Sequence, residues 1–270
     1  MPELPEVETT RLGIAPHVVG RRVREAVLRR PDLRWPIARE IAQELPGQRI
    51  EAARRRAKYL LLDAETGSVI VHLGMSGNLR VLPHAAPAQA HDHADLVFEG
   101  GSLLRLHDPR RFGALLWQAA GTQHPLLADL GPEPLSEAFD ADWLAHAAAR
   151  RSAPVKHFLM DQRTVVGVGN IYATEALFRA GIHPGRAAGR ISRARWERLA
   201  TAVKEILAQA IARGGTTLRD FLQPSGAPGY FVQELYVYGR AGRPCRNCGT
   251  ALRAAAWGQR ATVYCPRCQR

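Results

Sequence analysis

The sequence predicts an α+β protein of two domains, a mostly β N-terminal domain and a helical C-terminal domain that ends in a small metal-binding module. Short apolar segments separated by turn residues recur from residue 22 to residue 117, a spacing typical of an antiparallel sandwich. Helical patterns predominate beyond residue 135. All four cysteines of the 270-residue chain lie between Cys245 and Cys268.

The N-terminal domain begins with a helical pattern from Pro5 to about Val19. Strand patterns follow, with a short helical stretch at 37–45 among them. The predicted strands are 22–28, 50–63, 68–75, 94–98, 103–107 and 113–117. The segment Gly131-Pro132-Glu133-Pro134 then predicts a stiff extended boundary, because proline disfavours both helix and central strand.

Beyond this boundary the predicted helices are 140–151, 155–160, 170–180, 193–213 and 217–222. Ser192 is a predicted N-cap, and Gly214-Gly215 predicts the end of a helix. The composition of residues 223–229 favours a flexible loop. We therefore divide the chain into an N-terminal domain at 1–131, a linker at 132–135, a helical domain at 136–235 and a cysteine module at 236–270.

The four cysteines predict one structural zinc ion. Cys245 and Cys248 form one Cys-x2-Cys pair and Cys265 and Cys268 another, a spacing typical of zinc ribbons. Because protein thiolates would fill all four positions of a tetrahedral shell, such an ion is structural. Disulfides are the alternative, which a cytosolic compartment disfavours. Between the pairs, residues 261–264 predict a strand that follows a hairpin tip carrying Arg260.

Net charge indicates a polyanionic partner. The chain has 37 Lys and Arg against 25 Asp and Glu, for a formal charge of +12. Nucleic acid is the first expectation and an anionic membrane the second. The sequence has no apolar run of about 20 residues to span a bilayer and no secretory signal pattern. We therefore expect a cytoplasmic protein without a membrane partner.

The N-terminus carries a candidate nucleophile. Removal of Met1 would leave Pro2 with a secondary amine, which condenses with an aldehyde to an iminium that cannot lose its charge by deprotonation. Glu3 supplies a carboxyl group for proton transfer. The alternative is that Pro2 and Pro5 only mark the entry to a helix, where proline fits the first turn.

Further candidates lie on turns. The turn before Asn170 contains Gly167 and Gly169, and a glycine turn before a helix is a candidate anion site. The alternative is an ordinary helix start. Met75, Arg110 and Phe112 lie on turns next to strands, where they are either core residues or wedges that unstack a base pair.

Basic residues supply the remaining candidates. Lys58 lies in the most basic segment, for which the alternative is a solvated strand edge. The cluster at His91 favours a loop or phosphate contact over a metal site. Lys156 and Arg151 precede the glycine turn, and a solvated helix end is the alternative for Arg151.

These motifs together resemble the bacterial formamidopyrimidine-DNA glycosylases. The resemblance covers nearly the whole chain in order. Its motifs are PELPEVE (2–8), RRAKYLLL (55–62), HLGMSG (72–77), DPRRFG (108–113), LGPEPL (130–135), VGVGNIYA (166–173), GGTTL (214–218), PGYF (228–231) and the cysteine pairs. The PELPEV opening favours this family over the related endonuclease VIII enzymes, which act on oxidised pyrimidines.

The resemblance implies a β-sandwich with flanking helices and a helix–two-turn–helix domain with a zinc-ribbon hairpin, with DNA in the cleft between them. It implies a monomeric base-excision-repair enzyme of the bacterial cytosol. This enzyme would remove 8-oxoguanine and formamidopyrimidines from duplex DNA as a glycosylase and abasic-site lyase. The alternatives are a non-catalytic zinc-ribbon nucleic-acid binder and an endonuclease VIII type of glycosylase.

The resemblance also implies residue roles. Pro2 would attack C1′, Glu3 would protonate the sugar ring oxygen, and Lys58 and Arg260 would assist β- and δ-elimination. Met75, Arg110 and Phe112 would fill the gap left by the flipped nucleotide, with Arg110 reading the orphaned cytosine. The implied DNA-backbone contacts are His91, Lys156, Asn170 and, as a looser match, Arg151. The loop at 223–231 would close on the extruded base.

Overall fold

The computed structural model describes residues 2–83, 87–214, 235–257 and 259–270. They form two compact units, the first comprising the described residues up to Ala128 together with 213–214, and the second comprising Asp129–Ala212 and the described residues from Leu235 onward. The helix predicted at 217–222 and the loop predicted at 223–231 lie outside the described residues. Within the described part of the chain, no helix combines the length and apolar character needed to cross a membrane.

The N-terminal unit is a two-sheet sandwich. Its elements are α1 (Leu4–Val18), β1 (Val23–Leu28), α2 (Glu40–Gln43), β2 (Ala52–Arg56), β3 (Tyr59–Ala64), β4 (Gly67–His72), β5 (Asn78–Leu82), β6 (Asp92–Phe98), β7 (Leu103–His107), β8 (Ala114–Ala119) and α3 (Pro125–Ala128). The strand orders are β1-β6-β7-β5 and β2-β3-β4-β8, all antiparallel. The predicted sandwich is confirmed.

One hydrophobic core joins the two sheets to α1. Leu60 and Val71 come from one sheet, Leu96 and Leu104 from the other, and Val7 from the helix; all five are buried in the same cluster. Apolar side chains at alternate positions of an antiparallel strand lie on one face of the sheet, which is why these segments fold against each other. The core thereby holds the N-terminal helix against the sandwich.

The predicted strand 50–63 is wrong, because the chain reverses within it. β2 and β3 are separate strands joined at Ala57 and Lys58, and Arg56 pairs with Tyr59. Ala57 has a left-handed φ of 55°, a conformation that costs an alanine about 1 kcal/mol. Lys58 therefore lies on a tight turn rather than on a strand edge, and it is buried. Strand β5 was also absent from the predicted elements.

The C-terminal unit is helical and ends in a two-stranded hairpin. Its elements are α4 (Ala141–Ala148), α5 (Val155–Met160), α6 (Asn170–Arg179), a 3-10 turn (Ala188–Arg190), α7 (Arg193–Ala212), β9 (Arg253–Trp257) and β10 (Arg260–Tyr264). Trp196 of α7 is buried against Phe158 of α5, with 5.6 Å between the ring centroids. The predicted helices that fall on described residues match α4 to α7 within a few residues.

Glu175 of α6 anchors the segment that leads into the cysteine module. Its side-chain oxygens accept hydrogen bonds from the backbone N–H groups of Tyr236 (2.9 Å), Val237 (2.9 Å) and Tyr238 (2.8 Å). Burial raises the pKa of Glu175, and the three backbone donors oppose that effect. Main-chain dipoles thus stabilise the charge of this buried carboxylate, and the positive charge of Arg246 acts in the same direction.

Replacing Glu175 with Ala should loosen this attachment, since three backbone donors lose their acceptor. We expect the local opening free energy to fall by about 3 kcal/mol, or roughly a hundredfold faster amide hydrogen exchange at residues 236–238. Glu205→Ala, which removes an exposed partner of Arg179, is the matched control and should change exchange there by less than about twofold. Equal exchange in both variants would contradict the anchoring role.

Candidate active site and nucleic-acid interface

The N-terminal segment is held in place by the first turn of α1. Pro2 is buried and Glu3 is 2% exposed. Glu3 occupies the N-cap position, and its backbone N–H donates to Glu6 Oε2 at 2.8 Å. Pro5 lies in the first turn, where the missing N–H of proline costs no helical hydrogen bond. Pro5 therefore has the helix-entry role, whereas Pro2 and Glu3 directly precede the helix and are held by the capping bond to Glu6.

A charged network links α1 to the turn that carries Lys58. Arg55 Nε donates to Glu8 Oε2 at 3.0 Å, and its Nη1 donates to the Ala57 carbonyl at 2.9 Å. Burial raises the pKa of Glu8, but the guanidinium groups of Arg11 and Arg55 outweigh it and hold that pKa below its usual value. Helix α1, which begins two residues after Pro2, and the turn at Lys58 are therefore connected through Arg55.

His72, at the end of β4, lies near enough to Lys58 to be affected by its charge, and is therefore a further candidate site residue that the sequence analysis does not predict. Burial, followed by the nearby charges of Lys58 and Arg34, lowers its pKa to about 4, against an opposing effect of Asp108. Its Nδ1 accepts a hydrogen bond from Gly74 N–H at 3.1 Å. His72 is therefore neutral at pH 7, with its remaining proton on Nε2. The one feature of the sequence that could have identified His72 is its position directly before the turn that carries Met75.

The three candidate wedge residues lie on two turns at one edge of the sandwich. Met75 is half-buried in the β4–β5 turn, whereas Arg110 and Phe112 are exposed between β7 and β8. Phe112 is 44% exposed, and the Arg110 guanidinium lies 5.1 Å from the centre of its ring. An exposed phenylalanine under a cation is not a core residue, so the core interpretation is wrong for Phe112.

His91 lies next to a buried ionic network. Asp92 accepts from His107 Nδ1 at 2.8 Å, and Asp95 accepts two hydrogen bonds from Arg105, each of 2.8 Å. The carboxylates of this cluster are thus occupied by cationic or donor side chains. Among the described residues, the one group of cysteine, histidine or acidic side chains arranged to hold a metal ion is the four cysteines.

In the C-terminal unit, two candidate backbone contacts converge on the hairpin. Lys156 is fully buried, and its Nζ donates to Thr262 Oγ1 at 2.6 Å and to the Ala261 carbonyl at 3.3 Å. Asn170 Nδ2 donates to the same carbonyl at 3.2 Å. Gly169, not Asn170, is the N-cap of α6. Both side chains therefore support the strand that begins with the exposed Arg260.

Arg151 stands apart from this group. Its side chain is exposed just beyond the end of α4. Its backbone carbonyl accepts from Gly189 N–H at 2.9 Å, which ties the residue to the 3-10 turn and not to the hairpin.

The four thiols fit a tetrahedral metal shell. All four Sγ atoms lie within 4.8 Å of one another, with 3.9 Å between Cys245 and Cys268 and 3.5 Å between Cys248 and Cys265. Tetrahedral zinc with Zn–S bonds of about 2.3 Å requires Sγ separations of about 3.8 Å. Burial, followed by contacts with the other thiols, raises the pKa of Cys268. Thiolates this close together need a cation to compensate their charges.

Family profiles match three successive parts of the chain. Residues 1–115 match the formamidopyrimidine-DNA glycosylase N-terminal domain, residues 130–222 its H2TH domain, and residues 242–270 a zinc finger found in FPG and IleRS. The chain belongs to the formamidopyrimidine-DNA glycosylase family. It is accordingly a DNA-repair glycosylase that acts on N-glycosyl bonds, and its cysteine module is a zinc finger.

Individual members of the family match over the full chain. Formamidopyrimidine-DNA glycosylases of Stenotrophomonas maltophilia (strain R551-3) and Xanthomonas campestris pv. campestris (strain 8004) are 67% and 64% identical, covering 100% of both sequences in each case.

Solved structures of family members match as well. The MutM (FPG) protein from Thermus thermophilus has a TM-score of 0.87 at 41% identity over 99% of this chain and 98% of that one. The Lactococcus lactis FPG mutant G226P, in complex with Fapy-dG-containing DNA, has a TM-score of 0.92 at 32% identity over 100% of both chains.

The neutral state of His72 should make stability depend on pH. Its pKa is 6.5 when unfolded and about 4 when folded, so the unfolded chain binds an extra proton between these values. Stability is therefore lost as the pH falls through this window. Between pH 7 and pH 4.5 we expect the wild type to lose about 2.5 kcal/mol more than His72→Gln. Urea unfolding at both pH values measures this, and identical losses would contradict the assignment.

Replacing Cys265 with Ser should remove the zinc ion and weaken DNA binding. The buried Sγ of Cys265 is one of four ligands, and structural zinc supplies folding free energy to modules of this size. We expect less than one bound zinc per chain and a roughly tenfold or greater loss of duplex affinity, because the exposed Arg260 of the hairpin, a candidate phosphate contact, would be misplaced. A chelator should reproduce the loss in the wild type. Unchanged affinity in the zinc-free protein would overturn the structural role.

Proposed function

We propose that this glycosylase removes oxidised purines, 8-oxoguanine and formamidopyrimidines, from duplex DNA and then cuts the resulting abasic site as a lyase. The observation that carries the proposal is the buried Pro2–Glu3 segment directly before α1, a helix whose Glu8 is linked through Arg55 to the turn of Lys58. A candidate nucleophile, a candidate proton donor and a basic side chain thus belong to one hydrogen-bonded part of the N-terminal unit.

The first step uses the Pro2 nitrogen, once Met1 has been removed. Its lone pair forms a bond to C1′ while the bond from C1′ to the base breaks, and the base leaves with the bonding electrons and takes up a proton. A terminal amine with a pKa near 8 is about a tenth unprotonated at pH 7, far more than a lysine. No lysine side chain is therefore needed as nucleophile.

Ring opening and strand cleavage follow. Glu3 protonates the ring oxygen, the C1′–O4′ bond breaks, and the proline nitrogen becomes an iminium. This cation acidifies C2′, so loss of a C2′ proton expels the 3′ phosphate, and loss of a C4′ proton then expels the 5′ phosphate. Lys58 assists the first elimination and Arg260, on the zinc hairpin, the second.

The edge of the sandwich that bears Met75, Arg110 and Phe112 supports the required base extrusion. Inside a duplex, the stacked base pairs and the backbone block access of a nucleophile to C1′. The damaged nucleotide must therefore be flipped out of the duplex, which costs a few kcal/mol. Exposed Phe112 and half-buried Met75 are suited to fill the gap, and Arg110 to hydrogen-bond the orphaned cytosine.

Two observations favour oxidised purines over the alternatives. The PELPEV opening favours this substrate class over that of endonuclease VIII enzymes, and a Lactococcus lactis relative has been solved with Fapy-dG-containing DNA. A non-catalytic binder would have no use for a buried Pro2 beside Glu3. We further propose that the enzyme acts as a monomer on DNA in the bacterial cytosol.

Borohydride trapping tests the mechanism. Protein whose terminal residue is verified by mass should form a covalent adduct with a duplex containing 8-oxoguanine opposite cytosine. Protein that retains Met1 should form none, because its Pro2 nitrogen is an amide. Pro2→Gly should trap roughly tenfold less, since a primary amine gives an imine that can lose its charge. Binding to a duplex with a tetrahydrofuran abasic analogue should change by less than about threefold.

Pro5→Ala is the matched control, because it changes the proline of the helix start without touching the nucleophile. It should trap like the wild type. If correctly processed wild-type protein binds the duplex tightly but forms no adduct, the result supports the non-catalytic alternative. A parallel loss of binding and trapping in Pro2→Gly would argue for a structural role of Pro2.

A further inference from the structure

The turns that carry Met75 and Phe112 contact each other backbone to backbone. Gly74 has a φ of +62°, and a Cβ on it would lie 2.3 Å from the carbonyl carbon of Phe112. A Cβ on Gly113 would lie 2.8 Å from the His72 carbonyl and 2.9 Å from Asp108 Oδ2. No side chain fits at either contact, so the two turns are packed as closely as their main chains permit.

A buried carboxylate joins the same two turns. Asp108 is fully buried. Its Oδ1 accepts from Ser76 Oγ at 2.7 Å, and its Oδ2 accepts from Gly113 N–H at 2.8 Å. Ser76 Oγ in turn accepts from Arg110 N–H at 3.1 Å. Ser76, the residue after Met75, is therefore bonded to Arg110 directly and to Gly113 through Asp108. These two residues are the ends of the segment that contains Phe112.

The backbone of Asp108 also bonds to His91, a fourth candidate DNA contact. Its N–H donates to the His91 carbonyl at 3.0 Å, and its carbonyl oxygen lies 2.9 Å from His93 Nε2. Because a carbonyl only accepts, Nε2 is the donor. His91 itself has a left-handed φ of 72°, so its orientation depends on such neighbouring bonds.

We propose that Asp108 and Ser76 are positioning residues that hold Met75, Arg110 and Phe112 as one preorganised wedge. Exposed side chains on separate turns would otherwise lose conformational entropy whenever they insert into DNA. Joined main chains let Met75 and Phe112 enter the stack together while Arg110 faces the opposite base. Extrusion of the lesion and reading of the orphaned cytosine thus become one event.

The chemistry of the junction explains why an aspartate occupies it. Both oxygens of the carboxylate accept, one from a hydroxyl and one from an amide N–H, and the hydroxyl remains free to accept from Arg110 N–H. An asparagine would present an NH2 group to one of these donors. Serine is required as a group that donates and accepts at once, which alanine cannot do.

This inference rests on the proposed excision function, and Ser76→Ala tests it. On duplex 8-oxoguanine, we expect kcat/KM to fall roughly tenfold and the preference for cytosine over adenine opposite the lesion to fall about fivefold. The fluorescence rise of 2-aminopurine next to the lesion, which reports unstacking, should slow by the same factor as excision.

Single-stranded DNA separates the wedge from the chemistry. An abasic site in a single strand needs no extrusion, so borohydride trapping of Ser76→Ala there should stay within about twofold of the wild type. If the wild type fails to trap on duplex 8-oxoguanine as well as on the single strand, the proposed function fails, independently of the wedge.

Ser68→Ala provides a matched control. Ser68 also donates to an aspartate, with 2.7 Å from its Oγ to Asp63 Oδ1, but it lies within β4, away from both turns. We expect duplex excision and opposite-base preference to remain at wild-type values. Ser76→Thr, which retains the hydroxyl, should recover most of the opposite-base preference.

Three results would overturn the proposal. One is wild-type opposite-base preference and unstacking rate in Ser76→Ala. Another is an equal loss in Ser76→Ala and Ser68→Ala, which indicates general destabilisation. The third is an equal loss on single-stranded and duplex substrates. If Ser76→Ala does not fold, Ser76→Cys keeps the volume with a weaker donor, and the same comparisons decide.

Discussion

The pairing of Glu8 with Arg55 is the constraint on which the N-terminal site depends. Chain termini ordinarily fray, yet the proposed mechanism requires a nucleophile at the very start of the chain. Glu8 lies one turn inside α1, and Arg55 connects it to the carbonyl of Ala57, so the helix start and the Lys58 turn are bonded to each other. The positive charge of Lys58 in turn helps to keep His72 neutral. The guanidinium of Arg55 therefore connects the helix that follows the candidate nucleophile to the turn of Lys58, and Arg11, which also pairs with Glu8, bonds the Ala53 carbonyl of β2.

In the zinc finger, two side chains from the helical part of the unit bond to one main-chain carbonyl of the hairpin. Lys156 and Asn170 both donate to the Ala261 carbonyl, beside exposed Arg260. The resemblance assigns these two residues to DNA backbone contacts. In the described structure their immediate partner is the hairpin, so they set the strand from which Arg260 projects. The zinc ion holds the hairpin at the cysteine pairs that flank it, and the two donors hold it at Ala261.

Local patterns were sufficient for the sandwich, the helices and the zinc site, because alternation, helical spacing and cysteine spacing are properties of neighbouring residues. The hairpin at Ala57 and Lys58 escaped prediction because it contains no glycine, proline or asparagine, and a tertiary bond from Arg55 stabilises its left-handed alanine. The neutrality of His72 and the burial of Lys156 also escaped, since each depends on residues distant in sequence. Site residues were identified by motif, but their partners required the fold.

Helix α6 supports the cysteine module at two points. Asn170, in its first turn, holds the hairpin, and Glu175, in its second, holds the approach to the first cysteine pair through three main-chain amides. The orientation of the zinc finger is therefore set by a helix that contributes no ligand to the ion. The zinc content of a variant is accordingly a poor measure of its activity. A chain in which α6 is destabilised would keep its zinc ion and still place Arg260 incorrectly.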